Sequence, residues 1–341
     1  RDHLGDQVQP VPIPPGRSQA ELWQIFEQLA GAVPAGSRLV IDVTHGFRSL
    51  PLFAAVAALL LRHLQGVTLE RILYGAYEAR DPASGEAPVF DLTPLLDLAD
   101  WLSGIEALER SGDGRLLAQR LRETHASAWR RGAEELPQRL QGVGNALEEW
   151  SEAIRLNRPV DAARAAHRLR ERLQSARDEL AHWAPPFARL ANRLATDVAA
   201  LAHPEPERLD GAVLRAQLAA VRYALDKGLV LQAVTMAREW FVSWYIWAFM
   251  PEVRPHWQRR AEREQAEKSL GELGDMAKQA SRLAAHHPDR DIGDLWNQLA
   301  QLRNDLAHCG MRQGAMDAQA AQSKAQELVR RLQALLDARS G

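Results

Sequence analysis

The sequence predicts an α/β domain followed by a long all-α region, and three observations carry that prediction. A short apolar run, Leu39-Val-Ile-Asp-Val43, is followed by a tight loop and an apolar helix. Strand signals then return at Ile72 to Tyr77 and at Val89 to Leu92, the strand–helix–strand rhythm of an open α/β sheet. After Trp101 the chain turns rich in Ala, Leu, Arg, Glu and Gln, with few β-branched runs and with apolar residues at helical spacing.

In chain order, Val8 to Pro14 reads as the end of a strand. Ser18-Gln-Ala-Glu21 is a capping box, and Leu22, Ile25, Phe26 and Leu29 follow on one helical face. The run at 39–43 reads as a parallel strand buried on both faces. Pro51 opens a helix that extends to about His63, since proline suits a first helical turn. In the second part, breaks fall at Pro137, Asn157-Arg158-Pro159, Pro185-Pro186, Pro204 to Pro206, Pro251 to Pro255 and Pro288. They suggest domains at 1–101, 102–210 (a helical connector) and 211–341. Trp240, Trp244 and Trp247 recur at i, i+4, i+7, the stripe of a core or a dimer interface. The arginines between 110 and 193 alternate with glutamates and read as solvated helix faces.

The 341 residues are 46% hydrophobic and 25% charged, ordinary for a globular protein, and the net charge of −2 supplies no global field for nucleic acid. Any RNA contact must therefore be local. One cysteine, Cys309, excludes an internal disulfide framework and fits a reducing cytoplasm. No signal peptide is visible, and the apolar stretch Trp240 to Met250 is too short to span a bilayer, so no membrane partner is expected. The chain opens on Arg1 without an initiator methionine, and a preceding N-terminal piece is expected.

The loop after the 39–43 run is the first candidate site. Ligands of open α/β sheets sit beyond the carboxyl ends of the strands, and a helix N-terminus there favours phosphate. Asp42-Val-Thr-His-Gly-Phe-Arg-Ser-Leu-Pro51 puts Thr44, His45, Gly46, Phe47, Arg48 and Ser49 at that place. Gly46 permits close backbone approach, and Arg48 suits a bidentate phosphate contact. A strand-to-helix turn also carries Gly and Ser for geometry alone. The string resembles the Asp-x-Thr-His-Gly-Phe-Arg-Ser signature of CARF domains in type III CRISPR ancillary proteins, and Ile72-Leu-Tyr-Gly-Ala76 and Pro88-Val-Phe-Asp-Leu-Thr-Pro94 resemble that family's later strands. The resemblance implies a Rossmann-like sensor that dimerises and binds a cyclic oligoadenylate, cyclic tetra-adenylate foremost. It also implies a first strand and ligand-binding loop ahead of residue 1.

HEPN ribonucleases, which accompany such sensors, use Arg-x4-His. Four pairs here have that spacing: Arg120/His125, Arg177/His182, Arg282/His287 and Arg303/His308. Chance alone supplies about one. Context favours the last, where Asn304 follows the arginine and Gly310 comes just past the histidine. Asn304 and His308 share a helix face, and Gly310 is expected to end the helix with His308 in its last turn. Arg303 diverges from His308 on one helix, so two copies across a homodimer are expected to complete the site. Gly228-Leu-Val-Leu-Gln-Ala-Val-Thr-Met-Ala-Arg-Glu-Trp240 also resembles the HEPN half and implies supporting roles for Arg238 and Glu239. Arg177/His182 is the runner-up motif. Residues 104–210 carry no resemblance.

Together these readings give an α/β Rossmann-like sensor domain, an all-α helical region and an all-α HEPN domain. The implied function is a cyclic-oligoadenylate-activated, metal-independent endoribonuclease of CRISPR type III antiviral defence, acting on single-stranded RNA. The 2′-OH is the nucleophile, an imidazole moves its proton and a guanidinium stabilises the phosphate. The alternative is a cyclic-nucleotide-sensing binding or regulatory protein with an inactive HEPN dimerisation domain. No Cys-x-x-Cys or His-x3-His spacing around His286-His287 and His308-Cys309 supports a structural zinc, no metal or cofactor is expected, and Cys309 reads as an inert buried thiol.

Overall fold

A computed structural model of the chain describes residues 8–44, 50–279, 288–311 and 313–340. It divides into two compact units, Arg1–Asp100 and Trp101–Gly341. No helix among the described residues is long and apolar enough to cross a membrane.

In the first unit, residues 8–17 are irregular and do not form the expected strand end. Pro10, Pro12, Pro14 and Pro15 remove the backbone donors that a ladder needs. Helix α1 (Gln19–Ala32) starts at Ser18, whose hydroxyl accepts from the Glu21 N–H at 3.2 Å. The reciprocal half of the box is displaced by one residue, because Glu21 accepts from the Arg17 N–H at 2.8 Å.

Strand β1 (Arg38–Asp42) leads through helix α2 (Leu50–Gln65) to strand β2 (Thr68–Gly75), and β1 and β2 pair in parallel. Strand β3 (Val89–Asp91) then adds antiparallel to β2, giving the order β1-β2-β3. A small core of Val43, Ile72 and Leu96 is packed by Ile41, Ala54, Ala55 and Leu59. The expectation of full burial for the 39–43 run is corrected. β1 alternates, Leu39 and Ile41 being partly buried while Val40 is 51% exposed. Among the described residues β1 is an edge strand, paired on one side only, by β2.

The second unit is all helical. Helix α3 (Pro94–Ser111) leads into α4 (Arg115–Arg131), α5 (Leu140–Arg155), α6 (Pro159–Ser175), α7 (Arg177–Trp183), α8 (Pro185–Ala199), α9 (Gly211–Asp226), α10 (Val230–Phe249), α11 (Arg260–Gln279), α12 (Pro288–Ala307) and α13 (Ala318–Ser340). Proline opens α6 and α8, where its missing N–H costs nothing. Asp210 caps α9, its carboxylate accepting from the N–H groups of Ala212 and Val213 at 2.8 Å. One hydrophobic core runs through the unit from Trp101 to Leu336, shared by helices on both sides of residue 210. Trp240 and Trp244 are buried in it, and the Trp240 indole donates to the Leu214 carbonyl at 2.8 Å.

Candidate functional site

Two regions hold the residues singled out by sequence. The first is the end of β1. His45, Gly46, Phe47, Arg48 and Ser49 lie outside the described residues. Thr44 is described, and it is a clamp. Its N–H donates to the Asp42 carboxylate at 2.8 Å, and its hydroxyl accepts from the Gly75 N–H at 2.8 Å. The carboxyl ends of β1 and β2 are thereby tied at the place where the loop leaves the sheet. A Cβ at Gly75 would stand 3.0 Å from the Thr44 methyl, so glycine is the residue that permits the tie.

The second region is the carboxyl end of α12. Ile292, Leu295, Trp296, Leu299 and Leu302 are buried along one stripe of this helix. The stripe packs on α10 and α11. The approach to α11 is close enough that any side chain at Gly293 would collide with the Leu273 carbonyl. Asn297 secures the same seam, its amide donating to the Gly274 carbonyl at 2.7 Å.

α12 stops at Ala307, one residue before His308, so His308 sits in the turn just past the helix rather than in its last turn. The His308 N–H still donates to the Asn304 carbonyl at 3.0 Å. Cys309 and Gly310 then take left-handed backbone, with φ of 57° and 67°. The Gly310 N–H returns to the Asp305 carbonyl at 3.1 Å, and the Asp305 carboxylate accepts from the Met316 N–H at 3.3 Å. The turn is thus pinned from both sides. A non-glycine residue in this conformation costs about 1–2 kcal/mol. The reversal also turns Cys309 outward, and the expectation of a buried thiol is corrected because Cys309 is exposed.

Arg303 is partly buried, and Asn304 and His308 are exposed. The Arg303 guanidinium donates to the Asn304 side-chain oxygen at 3.1 Å. Among the described residues no hydrogen bond joins either of them to the His308 imidazole. The site therefore offers a guanidinium, an amide and an imidazole on an open helix end, with no carboxylate neutralising Arg303 among the described residues.

Arg238 and Glu239 lie on α10 and belong to an ion-pair network. Arg238 donates to Glu267 at 2.9 Å and 3.4 Å and to Glu239 at 2.7 Å. Its guanidinium stands over the Trp296 ring, 4.9 Å from the centroid. Glu239 accepts from Arg263 at 2.7 Å, and Arg263 also donates to the Ser243 hydroxyl at 3.1 Å. Burial works against the Arg238 charge, but Glu267 and then Glu239 outweigh it and its pKa is raised. Burial likewise pushes the Glu239 carboxyl up, and Arg263 with Arg238 pulls it further down, so the net shift is downward. Both residues are therefore ionised and engaged. They clasp α10, α11 and α12 together two turns before Arg303, which follows Trp296 by seven residues, about 10 Å along the helix. Sequence reading missed Arg263, Glu267 and Ser243. The signal was the i, i+4 spacing of Arg263 and Glu267, which looks like an ordinary solvated pair.

Of the other Arg-x4-His pairs, Arg177 and His182 are exposed at opposite ends of the short helix α7, and His182 meets Trp183 edge-on at 5.0 Å. His125 lies beside Trp129, with ring centroids 6.1 Å apart. Arg282 and His287 lie outside the described residues.

Comparison with known proteins finds similarity in the helical region. The family described as CRISPR-associated protein MJ1674, second domain, matches residues 97–200. The CRISPR-associated protein MJ1674 of Methanocaldococcus jannaschii is 28% identical over 153 residues, which is 42% of this chain and 23% of that protein. The chain thus spans about a quarter of the length of this curated relative. The similarity is to a CRISPR-associated family. The family match falls on the stretch that carried no resemblance by inspection.

Proposed function

We propose that the chain is a cyclic-oligoadenylate-activated, metal-independent endoribonuclease of CRISPR type III defence, working in the cytoplasm on single-stranded RNA. The observation that carries this reading is the open end of α12, where Arg303, bonded to Asn304 and without a carboxylate partner among the described residues, precedes by five residues an exposed His308 on a pinned turn. Burial of either residue in apolar packing would have favoured a non-catalytic scaffold. The similarity to a CRISPR-associated protein supports the defence setting.

In the proposed reaction the ribose 2′-OH attacks the adjacent phosphorus. His308 takes the 2′-OH proton, the bond from phosphorus to the 5′-oxygen breaks, and the imidazolium returns the proton to that oxygen directly or through water, so the products are a 2′,3′-cyclic phosphate and a 5′-hydroxyl. Arg303 stabilises the charge on the phosphate, and Asn304 orients Arg303. Arg238 and Glu239 act through the position of α12. The reading assigns residues 1–101 to a CARF-like Rossmann sensor and 211–341 to a HEPN domain. The loop from Thr44 to Ser49 takes the activator, cyclic tetra-adenylate foremost.

The working unit in this reading is a homodimer. Arg303 lies on α12 and His308 in the turn past it, with no hydrogen bond between them among the described residues, so the reading has a second copy complete the site. Helix α2 supports pairing in its own way. Leu52, Val56, Leu60 and Leu64 form a stripe at i+4 spacing that is 41–72% exposed, an apolar face suited to an isologous contact.

The test is RNA cleavage with cyclic tri-, tetra- and hexa-adenylate in turn, with EDTA present. Cleavage with one ring size and cyclic-phosphate ends is expected. Cleavage that needs a divalent metal, or none with any ring, overturns the reading.

A further inference from the structure

Helices α6, α7 and α8 enclose a groove of about 570 Å³ in the region that matches the CRISPR-associated family. One bank carries Arg170, Gln174 and Arg177, and the other carries Asn192 and Thr196. The floor is small and aliphatic, with Leu173, Ala191 and Ala195. On α8 the lining runs from Ala188 to Ala199, eleven residues or about 16 Å. This is a channel, not a cup.

The arginines decide what the channel suits. Several guanidinium groups of this region are neutralised: Arg168 pairs with Glu149 at 2.6 Å, Arg122 with Glu148 at 2.5 Å, and Arg193 with Glu109. Arg170 and Arg177 line the groove, are exposed, and have no ion pair or hydrogen bond among the described residues. Two uncompensated cations on one bank face the Asn192 amide on the other, a donor set for anionic oxygens, while the Thr196 hydroxyl donates to the Asn192 carbonyl at 3.1 Å. No aromatic ring lines the channel, so it has no platform on which bases stack.

We infer that this groove holds the sugar–phosphate backbone of single-stranded RNA, with Arg170 and Arg177 on successive phosphates. The inference rests on the RNA-cleaving reading above and adds to it a second contact surface, remote in sequence from Arg303. It also gives Arg177 a role, as a phosphate anchor and not as the arginine of a catalytic pair. Because contacts to phosphate carry no base information, binding here is independent of sequence.

The experiment measures fluorescence anisotropy of the full chain with 2′-O-methyl oligouridylate and oligoadenylate, which bind but lack the nucleophile, over a salt series. Arg170→Ala/Arg177→Ala should weaken both about tenfold and flatten the plot of log affinity against log salt by about 1.4, at 0.7 per phosphate contact. Arg168→Ala, which removes an equal charge from a paired arginine off the groove, should change neither. An unaltered slope and affinity in the double variant, with wild-type protein binding these oligomers and cleaving natural RNA in EDTA, overturns the groove and leaves the ribonuclease standing. Wild-type protein that neither binds nor cleaves RNA overturns both. An equal loss of poly-glutamate binding overturns RNA as the occupant, and so does a strong preference for one base.

Discussion

Replacing Arg238 with methionine separates the clasp between α10, α11 and α12 from any direct part in chemistry. Methionine keeps much of the aliphatic stem on Trp296 and removes the charge. The loss includes charge-assisted bonds to Glu267 at 2.9 Å and 3.4 Å, and the stacking of the cation at 4.9 Å from Trp296. Charge-assisted bonds contribute about 1.5–3 kcal/mol, and a partly desolvated cation–π contact about 1 kcal/mol. Relief of the desolvation of Arg238, whose side chain is 15% exposed, offsets part of this, and water reaching Glu267 at 34% screens what remains. A net cost of about 2 kcal/mol follows, which at about 2–4 °C per kcal/mol lowers the Tm of a unit of this size by about 4–8 °C. Thermal melts by circular dichroism read the shift. The pH dependence has a definite sign. Glu239 has a depressed pKa, so its stabilisation is full above the ordinary carboxylate value of 4.5 and is lost as pH falls through the depressed one. The gap in Tm between wild type and variant should therefore narrow as pH falls below about 4.5. Cleavage per folded molecule at room temperature should change less than about threefold. An unchanged Tm with cleavage abolished would falsify the clasp and make Arg238 a group that touches RNA.

His308→Ala should abolish cleavage with a Tm within about 1 °C of wild type, because the side chain is exposed, while alanine at His125, His182 or His287 should be nearly silent. Loss of activity in His182→Ala but not in His308→Ala would mean that the wrong motif had been chosen. Arg48→Ala should lose about 1.5–3 kcal/mol of activator affinity, and His45→Ala should also weaken binding, with cleavage restored at high activator. Calorimetry showing unchanged affinity in both variants would remove that loop from the site. Mixed Arg303→Ala and His308→Ala chains should recover part of the activity that neither has alone. A chain that is monomeric at micromolar concentration yet fully active would end the shared-site argument.

The candidate site was only partly legible. Asn304, His308 and Gly310 stand within two turns of each other in the chain, so their spacing could be read directly. The clasp could not, because Arg238 and Glu239 meet partners 29 and 24 residues away whose own spacing looks like a surface pair. Cys309 was misread for a related reason. Its type favours burial, but two consecutive left-handed residues turn the chain outward there.

The sequence by itself determined where helices begin and end and where the chain changes character. Proline, glycine and capping side chains act on the backbone within a few residues, so Pro159, Pro185 and Ser18 mark helix starts without help from the fold. Only the tertiary structure decided which of many arginines are neutralised and which are left open. Arg168 and Arg170 are two residues apart in one helix, yet the first meets Glu149 and the second faces a groove. Residues two apart on a helix point about 160° from each other, so what each meets is set by the helix packed on its own side, which the local sequence does not encode.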